Sequence, residues 1–86
     1  MARAEKELEA MRNNPRGWRY GAVARQLGRA GFYEVSKEGS HRTWKHREDR
    51  KLFTVKDPGG GEVKQGYIRE LVKRIDRLAS SEREAL

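Results

Sequence analysis

The chain has no cysteine, only two prolines and no long apolar run, and each absence removes a class of protein. Without cysteine there is no disulfide framework and no thiolate metal site. Without an apolar stretch of roughly 18 residues there is no membrane-spanning helix. The N-terminus also lacks the apolar core of a signal peptide. A soluble cytoplasmic protein is the expectation. Acidic residues are the scarcer charge, 13 against 20 Lys plus Arg, for a formal net charge of +7. That balance favours a polyanionic partner, with nucleic acid foremost. No lysine-studded amphipathic anchor points to a membrane surface instead. Hydrophobic residues are 35% and charged residues 38% of an 86-residue chain, so one small core is all that can form. At this size folding buries only about 60% of the unfolded chain's surface. A large enclosed substrate cavity is therefore excluded.

What is there divides by periodicity. Ala4 to Arg12 are good helix formers with Leu8 and Met11 as a thin apolar stripe, ended by Asn13-Asn14-Pro15. This predicts a short, partly frayed helix followed by the linker Pro15-Arg16-Gly17. From Trp18 onward Tyr20, Val23, Ala24, Leu27 and Ala30 recur at helical spacing until Gly31 closes the helix. Three segments of period-2 character follow: Phe32 to Lys37, Ser40 to His46 and Lys51 to Lys56. Asp57-Pro58-Gly59-Gly60-Gly61 reads as a mobile loop, because it cannot continue a central strand. In the last helix Ile68, Leu71, Val72, Ile75 and Leu78 make one stripe, and Lys73, Arg74 and Arg77 face elsewhere. Glu70 and Arg74 have the spacing of an ion pair. Residues 80–86 read as a flexible, weakly helical tail.

The strands can be set in register from the turns. With Glu38-Gly39 as a two-residue turn, Gly39 takes the position of positive φ and Ser40 leads out of it. Ser36 then faces His41, Val35 faces Arg42 and Tyr33 faces Trp44. A four-residue loop, Arg47 to Arg50, sets Trp44 against Phe53, Arg42 against Val55 and His41 against Lys56. Tyr33, Trp44 and Phe53 become a core row, with Val35 and Val55 on the same face. The opposite face carries Glu34, Ser36, His41, Thr43, Lys45, Thr54 and Lys56. Trp18 has no clear place, as either a plug for the sheet edge or part of a partner surface.

Both histidines fall in the second strand segment, and histidine is the side chain suited to proton transfer near neutral pH. His41 sits on the open face among lysines, where it is the candidate general base toward a ribose 2′-hydroxyl. Lys37, Arg42, Lys45 and Lys56 are the candidate phosphate-binding residues, stabilising charge on phosphoryl oxygens. His46 has the opposite strand parity and reads as a loop-edge residue or a phosphate contact. Two histidines without cysteine are a poor donor set, and Glu48 and Asp49 beside His46 lack a ligand spacing. Neither a metal nor a cofactor is expected. The remaining basic residues, Arg16, Arg19, Arg25, Arg29, Lys64, Arg69, Lys73, Arg74 and Arg77, read mostly as solvated helix faces that collectively attract RNA.

The order Gly39-Ser40-His41, Trp44-Lys45-His46, a short strand, a loop, then Lys64-Gln65-Gly66-Tyr67-Ile68-Arg69-Glu70-Leu71 resembles the HicA family of toxins. The lead-in Met11 to Trp18 is similar to that of a longer subgroup. The resemblance covers about residues 8 to 78 and is most specific at Gly-Ser-His. It implies an α+β, double-stranded-RNA-binding-like α-β-β-β-α fold. In that fold a three-stranded antiparallel sheet has its helices packed on one face, here with a short N-terminal helical extension. It also implies an mRNA interferase, an endoribonuclease of a toxin-antitoxin pair, neutralised by a HicB antitoxin in a hetero-oligomer, with His41 as the catalytic residue. The expected division is an N-terminal extension over 1–17, an RNA-cleaving domain over 18–79 and the tail over 80–86. The sequence departs from the common pattern in its glycine-rich loop and at Lys56-Asp57-Pro58. A noncatalytic RNA-binding module of the same fold is the alternative.

Overall fold

The computed structural model describes residues 3–85. Its elements run α1 (Arg3–Asn13), α2 (Tyr20–Arg29), β1 (Phe32–Glu38), β2 (His41–His46), β3 (Asp49–Lys56) and α3 (Gln65–Ala85). The three strands form one open antiparallel sheet in the order β1-β2-β3. The fold is thus α+β, as the alternation of periods predicted. One face of the sheet supplies Phe32, Trp44, Phe53 and Val55 to the core, where they meet Val23 and Leu27 of α2 and Ile68, Leu71 and Val72 of α3. Strand alternation leaves the other face to solvent.

Helix α1 is more firmly held than a frayed extension. Met11 lies in the core. The buried Gln26 side chain donates to the Ala4 carbonyl at 2.8 Å and to Glu7 at 2.9 Å. Arg25 grips Glu7 through two nitrogens at 2.6 and 3.2 Å, Arg29 pairs with Glu5 at 3.2 Å, and Arg12 reaches Asp76 of α3 at 2.6 Å. The helix ends where Pro15 restricts the residue before it. The Trp18 indole N–H then donates to the Asn14 carbonyl at 2.7 Å, which folds the linker back on the helix end.

The glycine-rich loop is also anchored, contrary to the expectation of a mobile connector. Asp57 N–H donates to the Ser40 carbonyl at 2.7 Å, Gly59 N–H to the Asp57 carboxylate at 2.9 Å and Val63 N–H to the Trp18 carbonyl at 2.7 Å. Arg19 donates to the Gly60 carbonyl. Gly59 and Gly60 sit at φ 71° and 120°, so the glycines serve a specific path. Helix α3 runs on to Ala85, beyond Ala79, where the apolar stripe stops.

Two strand assignments are corrected. The first hairpin pairs Glu38 with His41, Lys37 with Arg42, Ser36 with Thr43 and Glu34 with Trp44, so its turn is Gly39-Ser40 rather than Glu38-Gly39. Gly39, at φ 59°, is the first central residue, and among the described residues no non-glycine residue has positive φ. A glycine in that position matches a type II′ hairpin. A bulge at Val35 absorbs the extra residue between Glu34 and Ser36. Phe32 therefore fills the core position expected of Tyr33, and both Tyr33 and Val35 are 48% exposed. The second hairpin keeps the predicted pairs His41 with Lys56, Arg42 with Val55, Thr43 with Thr54 and Trp44 with Phe53. Its turn is shorter than the expected four-residue loop, because His46 already pairs with Asp49 and an irregularity takes up the difference.

That irregularity explains a buried arginine. Arg74 does not pair with Glu70 on the surface; it is 2% exposed and donates to the Leu52 carbonyl at 3.2 Å and to the Lys51 carbonyl. It also pairs with Asp49 at 3.1 Å, and its guanidinium lies 5.7 and 5.9 Å from the Phe32 and Phe53 ring centres. Carbonyls that the irregular strand leaves without a ladder partner thus find a donor on α3.

Candidate active site

The two histidines occupy different environments on the same strand. His46 is 5% exposed and sits on the core face, packed edge-on against Phe32 with ring centres 5.0 Å apart. Its Nδ1 accepts from the Glu48 N–H at 3.1 Å, and Nε2 lies 3.0 Å from the Ala30 carbonyl. Because a carbonyl only accepts, Nε2 is the donor, and the contacts fit the neutral Nε2–H tautomer. Both ring nitrogens are thereby occupied. His46 is a buried strut between the α2 end and the β2-β3 turn, and the expectation of a loop-edge residue or phosphate contact is corrected.

His41 begins β2 and is exposed. Its cross-strand neighbours are Lys56 of β3 and, through the corrected register, Glu38 of β1 in place of Ser36. Strand alternation sets Thr43 and Lys45 on its face, with Lys45 exposed and opposite Tyr33. The site's four basic candidates divide accordingly. Lys45 and Lys56 share the His41 face, whereas Lys37 and Arg42 pair with each other and have the other parity. Lys37 lies 3.4 Å from Glu34. Arg42 donates to the Gly39 carbonyl at 2.6 Å and lies 3.5 Å from Asp57, tying the turn before His41 to the end of β3.

The turn is held from both sides. The Ser40 carbonyl receives the Asp57 N–H, and a shallow cleft of about 320 Å³ opens there between the hairpin and the start of α3. Ser40, Lys56, Lys64 and Tyr67 are among its lining residues. Sequence reading missed Lys64 and Tyr67 as neighbours of the turn, because they come from α3 and the segment before it. It missed Glu38 through the one-residue register slip. A rule already in hand, glycine first in a II′ turn, would have found Glu38.

Beneath the site a polar chain crosses the core edge. The Trp44 indole donates to the Tyr20 hydroxyl at 3.1 Å, which in turn donates to Glu34 at 3.1 Å. Burial pushes the Tyr20 phenol up to about 12, with Glu34 adding to the effect and the Trp44 hydrogen bond opposing it. Tyr20 therefore stays protonated at neutral pH and serves as a link. Trp44 is buried, as its core assignment required. Among the described residues no three His, Cys, Asp or Glu side chains gather where they could hold a metal ion. No helix among them is long and apolar enough to cross a membrane.

Comparison with known proteins gives one family. No curated protein and no solved structure matches the chain. The family model described as HicA toxin of bacterial toxin-antitoxin matches residues 22–76, from α2 through most of α3 and across the whole sheet. That span is more than half of the chain and contains the Gly39-Ser40-His41 turn, so the protein belongs to the HicA toxin family of bacterial toxin-antitoxin systems.

Proposed function

We propose that this toxin is a metal-independent endoribonuclease that cleaves mRNA and so arrests translation, with His41 as the single catalytic histidine. The observation that carries the reading is the contrast on β2: His46 has both nitrogens engaged inside the fold, whereas His41 is exposed with Lys56 directly across the strand. His41 takes the proton of a ribose 2′-hydroxyl as general base. The 2′-oxygen then forms a bond to the adjacent phosphorus while the bond to the 5′-oxygen breaks. The products are a 2′,3′-cyclic phosphate and a 5′-hydroxyl, the leaving oxygen taking a proton from a second donor. Lys56 and Lys45 neutralise charge on the non-bridging oxygens. Lys37, on the other strand parity and 3.4 Å from Glu34, is assigned only to a phosphate that passes the strand edge beyond the His41 face. Arg42 acts as a positioning residue, because its bond to the Gly39 carbonyl fixes the turn from which His41 emerges.

The proposed partner is a HicB-type antitoxin that assembles with the toxin in a hetero-oligomer, and the proposed site of action is the cytoplasm. A family role in toxin-antitoxin systems requires such a cognate inhibitor, and the basic charge suits an acidic one. The test is RNA cleavage by full-length protein in excess chelator. Wild type should cleave, and His41→Ala should lose at least about a hundredfold in rate, the lower range for a general base. Full cleavage by His41→Ala would refute the assignment. Tight RNA binding without any cleavage by wild type would favour a binding module.

A further inference from the structure

Strand alternation places His41 and Tyr33 on the same open sheet face, toward opposite ends. His41 faces Lys56 and Glu38 at one end. At the other, Tyr33 faces Lys45 across the first hairpin. Leu52, the residue before buried Phe53, points to the same side by alternation. Among the described residues the exposed large hydrophobic side chains are Tyr33, Val35 and Leu52, each 48% exposed, and all three belong to the sheet. The bulge at Val35 sets this parity, since it turns Tyr33 away from the core that Phe32 fills.

An aromatic ring beside a lysine on a basic protein has the composition of a single-strand nucleic-acid platform: the ring takes the face of a base and the ammonium the adjoining phosphate. From His41 to Lys45 the strand advances roughly 13 Å, several times the rise of about 3.4 Å per stacked base. A base lying on Tyr33 therefore belongs to a nucleotide beyond the two joined at the phosphate held by His41. We infer that Tyr33 is a base-stacking residue that, with Lys45, holds single-stranded RNA at a position remote from the scissile bond. This inference rests on the reading of the His41 face as an RNA-cleaving site. Tyr33 sets substrate affinity and register without taking part in proton transfer. Hydroxyl chemistry is not needed for this, so phenylalanine should serve as well as tyrosine.

The experiment separates base from backbone. Full-length His41→Ala protein, with and without Tyr33→Ala or Tyr33→Phe, is titrated into a short fluorescent oligoadenylate and, in parallel, into an abasic ribose-phosphate oligomer of the same length. Cleavage by wild type and by His41→Ala is measured separately, so an active His41→Ala protein would overturn the catalytic reading while leaving any Tyr33 effect on binding intact. Tyr33→Ala should weaken oligoadenylate binding about tenfold or more, the loss of one stacked base. Tyr33→Phe should retain it, and binding of the abasic probe should not change. Equal loss on both probes, or no loss on either, would overturn the inference. So would a Tyr33→Ala defect confined to capture of the co-expressed antitoxin, which would make this face a protein-docking surface.

Discussion

His46 owes its burial to a glycine. Gly31 sits at φ +99°, and a Cβ built there would come within 2.9 Å of His46 Nε2, the atom that bonds the Ala30 carbonyl. Two penalties therefore coincide in Gly31→Ala: backbone strain of about 1–2 kcal/mol and loss of a buried hydrogen bond of about 1 kcal/mol. Stability should fall by about 2 kcal/mol or more, lowering Tm by at least roughly 8 °C for a domain of this size. A thermal melt checks this, and an unchanged Tm would show that the ring is not wedged as described. RNA cleavage per folded molecule should stay near wild type, since His41 and its lysines are on the other face. Sequence could place His46 on the opposite parity from His41, but it could not reveal the burial. The carbonyl and amide that satisfy the ring come from Ala30 and Glu48, and nothing in the residue pattern marks such backbone partners.

At the scale of elements, the second hairpin was legible and the first was not. Trp44 and Phe53 are each the sole aromatic of their strand segment with one plausible core position, so their pairing held even though the turn proved shorter. In β1 two aromatics, Phe32 and Tyr33, are adjacent, and a slip of one residue exchanges which is buried. The bulge at Val35 then changes strand parity within β1, a feature that strict alternation cannot represent. Helix α1 shows the same limit: Leu8 and Met11 mark a faint stripe, while the contacts that hold it come from Arg25, Gln26 and Arg29 across a turn of chain.

Those contacts make α1 sensitive to acid. The hydrogen bond from Arg25 holds the Glu7 carboxyl below its ordinary value, with burial opposing and Gln26 assisting. A carboxyl whose folded-state pKa is depressed contributes stability that is present above its unfolded pKa and lost as pH falls through the folded value. Asp49 behaves alike, lowered by the Lys51 amide and by Arg74 and Arg77. Stability should therefore decline below about pH 4.5, the ordinary value of the Glu7 carboxyl. Glu7→Gln should flatten part of that decline, measured as the change in denaturant midpoint between neutral and acid pH. An identical acid profile for wild type and Glu7→Gln would remove Glu7 from this role.

At the scale of the whole molecule, ion pairing redistributes the formal charge. The acidic side chains Glu5 and Glu7 of α1 engage Arg29 and Arg25, so part of the basic surface expected on α2 is neutralised within the fold. The open sheet face retains exposed Lys45 and Lys56 beside His41. A net charge of +7 favours a polyanionic partner, and one side of the sheet carries the His41 imidazole, two ammonium groups and an aromatic ring, with Glu38 opposite His41. The most direct test of His41 as the base is the chemistry of the RNA ends formed in chelator. Mass spectrometry of fragments from wild-type protein should find 2′,3′-cyclic phosphates paired with 5′-hydroxyls, and neither with His41→Ala. Fragments bearing 5′-phosphates, or cyclic phosphates formed at the wild-type rate by His41→Ala, would contradict it.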